Sequence, residues 1–413
     1  MLDSEFFDEL EIRNADEREL SQFEALGRHL VATCEEAPYY QDLFQGIDPR
    51  SIRTRADLEK LPIIRKSALF GLQAKNPPFA GIPTIAPCNF QRLFQSPGPT
   101  YEPEADGADW WGIARSLYAA GVRPGEILHN SFSYHLTPAG MMLESGARAI
   151  GCAVIPAGTG QSEQQVQAIA HFRPQTYAGT PSFLKILLEK AKELGADVSS
   201  LDKAVVSGEA LPPALRDEIK AYGVFAVQIY ASADLGLIAY ETNAMEGLIV
   251  DERLIVEIVR PGTGEQLSPG EIGEVVVTSL NREYPLIRFA TGDLSSLMEG
   301  QSPCGRTGPR LTGWKGRADQ SAKVKGMFIT PGQIADVIKR HPEIANARLV
   351  IDQQDGQDAM TLNIEPSGDT APDTGAVTET LQALSKLKGV VVVVDKGSLA
   401  NDGIVIEDQR PAQ

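Results

Sequence analysis

Apolar positions at Leu20, Phe23, Leu26, Leu30, Val31 and Cys34 recur at helical spacing and predict an amphipathic helix over 17–35, ended by Ala37-Pro38-Tyr39-Tyr40. A shorter helix is expected within 48–66, closing on Leu61-Pro62-Ile63-Ile64 and the basic pair Arg65-Lys66. Residues 71–109 are rich in proline and poor in periodic runs, which predicts a loop-rich crossing. From about residue 110 the pattern alternates. Helical periods at 111–120, 138–150, 163–171, 181–194 and 212–222 are interleaved with short apolar runs at 127–132, 152–156, one ending at Tyr177, 203–207 and 225–230. Strands alternating with helices predict a mostly parallel sheet covered on both faces. Ligands of such sheets sit at the carboxyl ends of the strands.

The texture changes after residue 247. Two strands, 254–260 and 274–280, flank turn-rich Pro261-Gly262-Thr263-Gly264 and Pro269-Gly270, so 247–315 reads as a small β-rich subdomain. Gly316-Arg317-Ala318-Asp319 is a candidate hinge. Beyond it a helix at 331–340, a hairpin at Asp355-Gly356, a helix at 377–386 and a strand at 390–394 predict a compact α+β unit. The expected fold class is therefore α/β. A large N-terminal body (1–316) combines mostly parallel layered sheets with the β-rich subdomain, and a small, mobile α+β cap follows (317–413).

A chain of 413 residues with 42% hydrophobic and 23% charged residues is an ordinary globular sequence, long enough for two or three folded units. Its net charge of -17 repels phosphate backbones, which argues against nucleic-acid binding but leaves room for a local pocket for a small anion. Residues 1–20 carry eight acidic and two basic side chains, the opposite of a signal peptide, and no apolar run reaches membrane-spanning length. Cys34, Cys88, Cys152 and Cys304 stand far apart, so neither a zinc site nor a disulfide framework is expected. The expectation is a cytoplasmic protein with no membrane partner.

Five stretches offer chemistry. Gly158-Thr159-Gly160 follows a strand, but the third glycine of a dinucleotide fingerprint is missing and no acidic ribose partner is evident about 20 residues on. Ser207-Gly208-Glu209-Ala210 and Tyr230-Ala231-Ser232-Ala233-Asp234 each end a predicted strand and are expected to open a helix, bringing two carboxylates to one cleft. Arg288-Phe289-Ala290-Thr291-Gly292-Asp293 ends in a carboxylate suited to a ribose diol, or in an Asx-turn. His135, in Phe132-Ser133-Tyr134-His135, lies just past a strand end, where an imidazole can titrate near neutral pH or donate to a carboxylate.

In their order these stretches resemble the adenylate-forming (AMP-binding) superfamily, and most closely its phenylacetate–CoA ligase family, over nearly the whole chain. Pro38-Tyr39-Tyr40, Ala119 to Gly125, Val154 to Gly158, Gly179-Thr180-Pro181-Ser182, Pro285 to Asp293, Pro303-Cys304-Gly305-Arg306-Thr307 and Pro331-Gly332-Gln333-Ile334 carry the likeness. The resemblance implies a carboxylic acid activated by ATP with Mg2+ to an acyl adenylate, then passed to coenzyme A after the cap rotates. It implies that Ser207, Gly208, Glu209, Tyr230 and Ser232 line the nucleotide pocket, that Asp293 holds the ribose hydroxyls, and that Arg317 and Asp319 mark the hinge. Asp234 stands for the family's magnesium-binding, catalytic Glu, one methylene shorter. Tyr134, His135 and Gly179 would face a small aromatic acid, with His135 among the catalytic groups. A homodimer is a further expectation.

Two stretches depart from that pattern. The family's phosphate loop, Ser-Ser-Gly-Thr-Thr-Gly-x-Pro, reads here Gln95-Ser96-Pro97-Gly98-Pro99-Thr100-Tyr101-Glu102-Pro103. Pro97 and Pro99 each remove an N–H donor, and Glu102 and Glu104 add negative charge. The family's C-terminal catalytic lysine is missing from Asn401-Asp402-Gly403-Ile404, leaving Lys396, Lys323 and Lys325 as replacement cations. Two readings follow: an acid–CoA ligase of this class, or a non-catalytic relative that binds AMP, coenzyme A or an acyl-CoA and acts through a partner.

Overall fold

The computed structural model of the chain describes residues 5–96, 100–320, 322–324, 327–354, 357–368, 371–400 and 404–410. Its first long helix, Ala15–Glu36, starts where the Asn14 side chain accepts a hydrogen bond from the Asp16 N–H at 2.8 Å and carries Asp16 and Glu17 in its first turn. Phe23, Leu26 and Leu30 on one face are buried among Leu254, Ile255, Tyr284, Leu286 and Phe289. Gln22 pins the same face by donating to the Glu252 and Leu254 carbonyls, each at 3.1 Å.

The main sheet has nine strands. Five run parallel, in the order Ala153–Pro156, Ile127–Asn130, Thr176–Gly179, Lys203–Val206 and Phe225–Ser232. The period of two explains how both faces are covered. Val205 and Val227 face a core with Ile113, Leu117, Met142 and Leu143 from the helices Ile113–Ala119 and Ala139–Ile150. Ala204, Val206 and Ala226 face the opposite core, with Val166, Ile169, Leu184 and Leu187 from Ser162–Phe172 and Pro181–Leu194. The sheet continues antiparallel through Gly236–Tyr240, Leu248–Val250, Arg310–Leu311 and Leu297–Met298.

A four-stranded sheet packs on the N-terminal helices. Leu254–Val259, Gly273–Ser279 and Phe289–Ser295 are antiparallel neighbours, and Ile64–Arg65 adds to Phe289–Ser295 in parallel. The first two strands are buried along their whole length, and each carries a buried carboxylate, Glu257 and Glu274. The C-terminal unit has strands ordered Val390–Val393, Gln357–Pro366, Ile344–Gln354 and Ile406–Asp408. The helices Pro331–Arg340 and Thr374–Ser385 cover it through Ile334, Val337, Val377 and Leu381. Among the described residues no helix is long and apolar enough to cross a membrane.

Four expectations change. The stretch 71–109 is not merely a crossing: a helix, Lys66–Lys75, and a hairpin, Arg92–Gln95 with Tyr101–Glu104, stand there. The helix buries only Leu69 and Gln73, so its apolar period is weak. The helix after Ser207-Gly208-Glu209-Ala210 begins only at Pro213, and Tyr230 to Asp234 opens no helix but turns back into the strand Gly236–Tyr240. The region 247–315 is shared, since three of its short strands extend the main sheet and only three build the four-stranded one.

His29 is buried against this N-terminal packing and its Nε2 has no hydrogen-bond partner. Burial, helped by the Arg282 cation, holds its pKa at about 4 instead of 6.5. A base whose folded pKa is depressed loses stability as pH falls through that interval. The loss at about 1.4 kcal/mol per unit is on the order of 3 kcal/mol. Unfolding free energies from urea titrations at about pH 7.5 and about pH 4.5 are expected to differ less for His29→Gln than for the wild type, by that amount. Equal slopes would show that His29 does not carry the acid sensitivity.

Candidate active site

The strand Phe289–Ser295 is irregular where its chemistry lies. Its partner pairs Glu274 with Leu294 and Val276 with Ala290, so Thr291, Gly292 and Asp293 bulge opposite Val275 alone. The Thr291 hydroxyl donates to the Val275 carbonyl and accepts from the Asp293 N–H, both at 3.1 Å, and Gly292 has φ +79. Such a bulge re-aims a side chain. What reads in sequence as an Asx-turn is thus a device that turns the Asp293 carboxylate out of the sheet.

Three elements converge on that carboxylate. The Tyr230 hydroxyl, from the end of the last parallel strand, donates to Oδ2 at 2.8 Å and stands 3.1 Å from the Thr291 hydroxyl. Trp314 Nε1 and an Arg317 Nη1 donate to Oδ1, each at 3.2 Å. Burial first, and then the Asp293 charge, raises the Tyr230 pKa well above its ordinary value, so the phenol stays a donor. Tyr230, Asp293, Gly313 and Trp314 line one small recess. Asp293 is therefore a fixed carboxylate at the seam of the two sheets, able to accept from a vicinal diol.

The other predicted nucleotide residues lie at neighbouring strand ends. The Ser207 hydroxyl donates to the Ile229 carbonyl at 3.0 Å, next to Tyr230, and its N–H donates to Gly179 O at 3.2 Å. Gly208 has φ +84 and is exposed. Glu209 caps a helix it does not begin: its carboxylate accepts from the Ser182 N–H at 2.7 Å, in the first turn of Pro181–Leu194. The Ser232 hydroxyl accepts from the Leu235 N–H at 3.2 Å and holds the turn that carries Asp234. Among the residues predicted to face the acid, the Tyr134 hydroxyl accepts from Asn130 Nδ2 at 2.8 Å, and its ring lies so close to Gly140 that a Cβ there would meet it at 2.8 Å. Burial and Glu144 raise the Tyr134 pKa. His135 beside it is exposed. Gly179 has no room for a side chain, since a Cβ would stand 2.1 Å from the Tyr177 hydroxyl.

Asp234 lies apart from this set. Its side chain is wholly buried, with Oδ2 taken by Lys66 Nζ at 2.6 Å and Oδ1 unpartnered. Burial opposes the Lys66 charge, but the Asp234, Glu102 and Asp293 carboxylates outweigh it and raise its pKa. Glu102 is also buried. Its Oε1 accepts from Ser96 Oγ at 2.8 Å and Thr100 Oγ1 at 2.7 Å, and burial and the Asp234 charge push its pKa up to about 7. Mg2+ demands exposed oxygen ligands in octahedral array with several waters. Asp234 offers one enclosed oxygen beside an ammonium, and among the described residues no group of three or more His, Cys, Asp or Glu is placed to hold a metal. The residues present do not fit the ion there.

Lys396 is exposed in the C-terminal unit, 3.4 Å from the Ser367 carbonyl, and no contact joins it to Asp293. Asp319 falls in the 3-10 turn Ala318–Gln320, but its side chain, like that of Lys323, lies outside the described residues, as do Lys325, Pro97 to Pro99 and Asn401 to Gly403. Sequence reasoning missed Lys66 and Trp314 as members of the site. The basic pair at 65–66 was visible, but nothing in it announced a carboxylate 168 positions away.

The AMP-binding enzyme family profile matches residues 113–281, which with the relatives below makes the chain an adenylate-forming enzyme of that class. The chain is 32% identical over 377 residues to a phenylacetate–coenzyme A ligase of Thermus thermophilus, covering 87% of this chain and 84% of that protein. It is 30% identical over 384 residues to the Escherichia coli phenylacetate–coenzyme A ligase, covering 88% and 86%. Among solved structures, 2-hydroxyisobutyryl-CoA ligase in its postadenylation state with 2-HIB-AMP superposes with a TM-score of 0.78 at 25% identity, covering 99% of this chain and 93% of that one. The chain belongs to the phenylacetate–CoA ligase family.

Calorimetry with AMP tests the site. Removing the carboxylate in Asp293→Ala is expected to weaken AMP at least about tenfold, since a charge-assisted hydrogen bond contributes roughly 1.5–3 kcal/mol. Gly292→Ala strains the bulge and sets a Cβ 2.6 Å from the Arg317 guanidinium, so it too is expected to weaken AMP, by several-fold. Wild-type affinity in both would remove the assignment.

Proposed function

We propose that this chain is an AMP-forming acid–CoA ligase acting on a small aromatic carboxylic acid, with ATP and coenzyme A as co-substrates. The observation that carries the reading is the Asp293 carboxylate, turned out by a bulge and held by Tyr230, Trp314 and Arg317, in a chain of this family. In the first step a carboxylate oxygen of the acid attacks the α-phosphorus and pyrophosphate leaves. In the second the coenzyme A sulfur attacks the acyl carbon and AMP leaves. Asp293 positions the ribose, and Tyr230 keeps Asp293 in place. Tyr134 and His135 stand at a strand end where an aromatic acid would enter, with the exposed imidazole able to donate to its carboxylate. Kinship with four phenylacetate–coenzyme A ligases does not favour a non-catalytic binder.

The cap supplies the second half of the proposal. Arg317 pairs with Asp293 across an isolated bridge, and Gly316 adopts φ +121 immediately before it. Rotation at Gly316 to Asp319 would carry Lys396 with the cap, and an ammonium set at the α-phosphate stabilises the developing charge. Incubation with ATP, coenzyme A and a panel of acids, read as AMP and acyl-CoA by chromatography, is expected to favour phenylacetate and benzoate over short aliphatic acids. AMP formation with none of them would overturn the reading. Lys396→Ala is expected to slow turnover by roughly 10²–10³ with AMP affinity kept, and Asp319→Pro to block turnover with AMP affinity kept, because the ring fixes φ at the hinge. Full activity of Asp319→Pro would place the hinge elsewhere.

A further inference from the structure

The buried polar group beneath the cleft is drawn from four separate stretches. Lys66 opens its helix directly after Ile64–Arg65, the strand paired with Phe289 and Ala290, so its backbone is fixed by the strand that carries Asp293. Its ammonium reaches Asp234 at 2.6 Å, and Asp234 is its one hydrogen-bond partner among the described residues. An ammonium has three N–H donors. The Lys66 side chain is 31% exposed while that of Asp234 is 0%, so the lysine alone of this pair reaches the accessible surface. In the same group Asp234 Oδ1, Glu102 Oε2 and the Tyr284 hydroxyl are buried with no partner among the described residues.

The charges of this group are nearly closed without a metal. Asp234 and Lys66 cancel, and burial favours the neutral form of Glu102. A divalent cation brought to Asp234 would have to displace the ammonium or sit against it. A phosphate group would instead meet an unshared donor pair on a cation that already feels the Asp293 carboxylate.

We propose that Lys66 takes the place of a divalent cation at Asp234: its ammonium neutralises the buried carboxylate and presents its remaining N–H groups to a phosphate of the nucleotide whose ribose Asp293 holds. The proposal rests on the nucleotide reading above, and two measurements separate their fates. Mn2+ titration followed by electron paramagnetic resonance, on the wild type and Asp234→Asn, is expected to give superimposable isotherms with no site that depends on Asp234. A stoichiometric Mn2+ site in the wild type that Asp234→Asn removes would overturn the proposal, whatever nucleotide does. Calorimetry with AMP is expected to give the same affinity in EDTA as in Mg2+, and a loss of roughly tenfold or more in Lys66→Met, with Lys66→Arg restoring part of it. Wild-type AMP affinity in Lys66→Met would also overturn it. AMP failing to bind the wild type would instead overturn the nucleotide reading. Should Lys66→Met not fold, the Mn2+ titration decides alone.

Discussion

The site depends on one buried ion pair. Arg288 donates to both Glu257 oxygens, at 3.1 and 2.9 Å, and both side chains are almost wholly enclosed. The same guanidinium donates to the Glu59 and Leu61 carbonyls at 2.6 and 2.7 Å, and the Arg288 carbonyl accepts from the Ile64 N–H at 3.0 Å. Arg288 adopts φ +47, an uncommon conformation for a side-chain-bearing residue, so the surrounding bonds must over-determine it. Removing one partner of such a pair leaves an uncompensated buried charge and costs roughly 3–5 kcal/mol. The pair ties the N-terminal lead-in to the four-stranded sheet. Lys66 stands two residues beyond one end of that tie and Asp293 five beyond the other.

From this anchor the chemistry follows by position. The bulge at Thr291-Gly292-Asp293 turns a carboxylate toward the seam between two sheets, and Tyr230 comes to it from the end of the last parallel strand. Arg317 reaches the same carboxylate from the start of the cap, so the cation paired with Asp293 is also the first residue of the segment proposed to rotate. Lys66 pairs with the wholly buried Asp234 carboxylate at 2.6 Å.

Much of this was legible in the sequence. The alternation from residue 110 onward gave the parallel sheet, because the first four parallel strands are short and each is followed by a helix such as Pro181–Leu194. The order of Ser207-Gly208-Glu209, Tyr230 and Asp293 pointed to one cleft, and Tyr230 does meet Asp293 there, with Ser207 bonded to the strand that carries Tyr230. The rest was hidden for physical reasons. The helix Lys66–Lys75 buries too little apolar surface to show a period. Asp234 reads as a helix start because a small-residue stretch ending in a carboxylate looks like a cap, whereas it is a hairpin turn whose carboxylate is taken by a distant lysine. A bulge is a relation between two strands, so the Thr-Gly-Asp run could only suggest a turn. Glu209 caps a helix that precedes it in the chain, which no local pattern encodes.

The account stands or falls on where the nucleoside sits. A crystal structure of the protein soaked with AMP tests this most directly. The account predicts both ribose hydroxyls on the Asp293 carboxylate, with Tyr230 still hydrogen-bonded to it and the base toward Ser207 and Gly208. AMP bound elsewhere, or bound there with Asp293 turned away from the ribose, would contradict it.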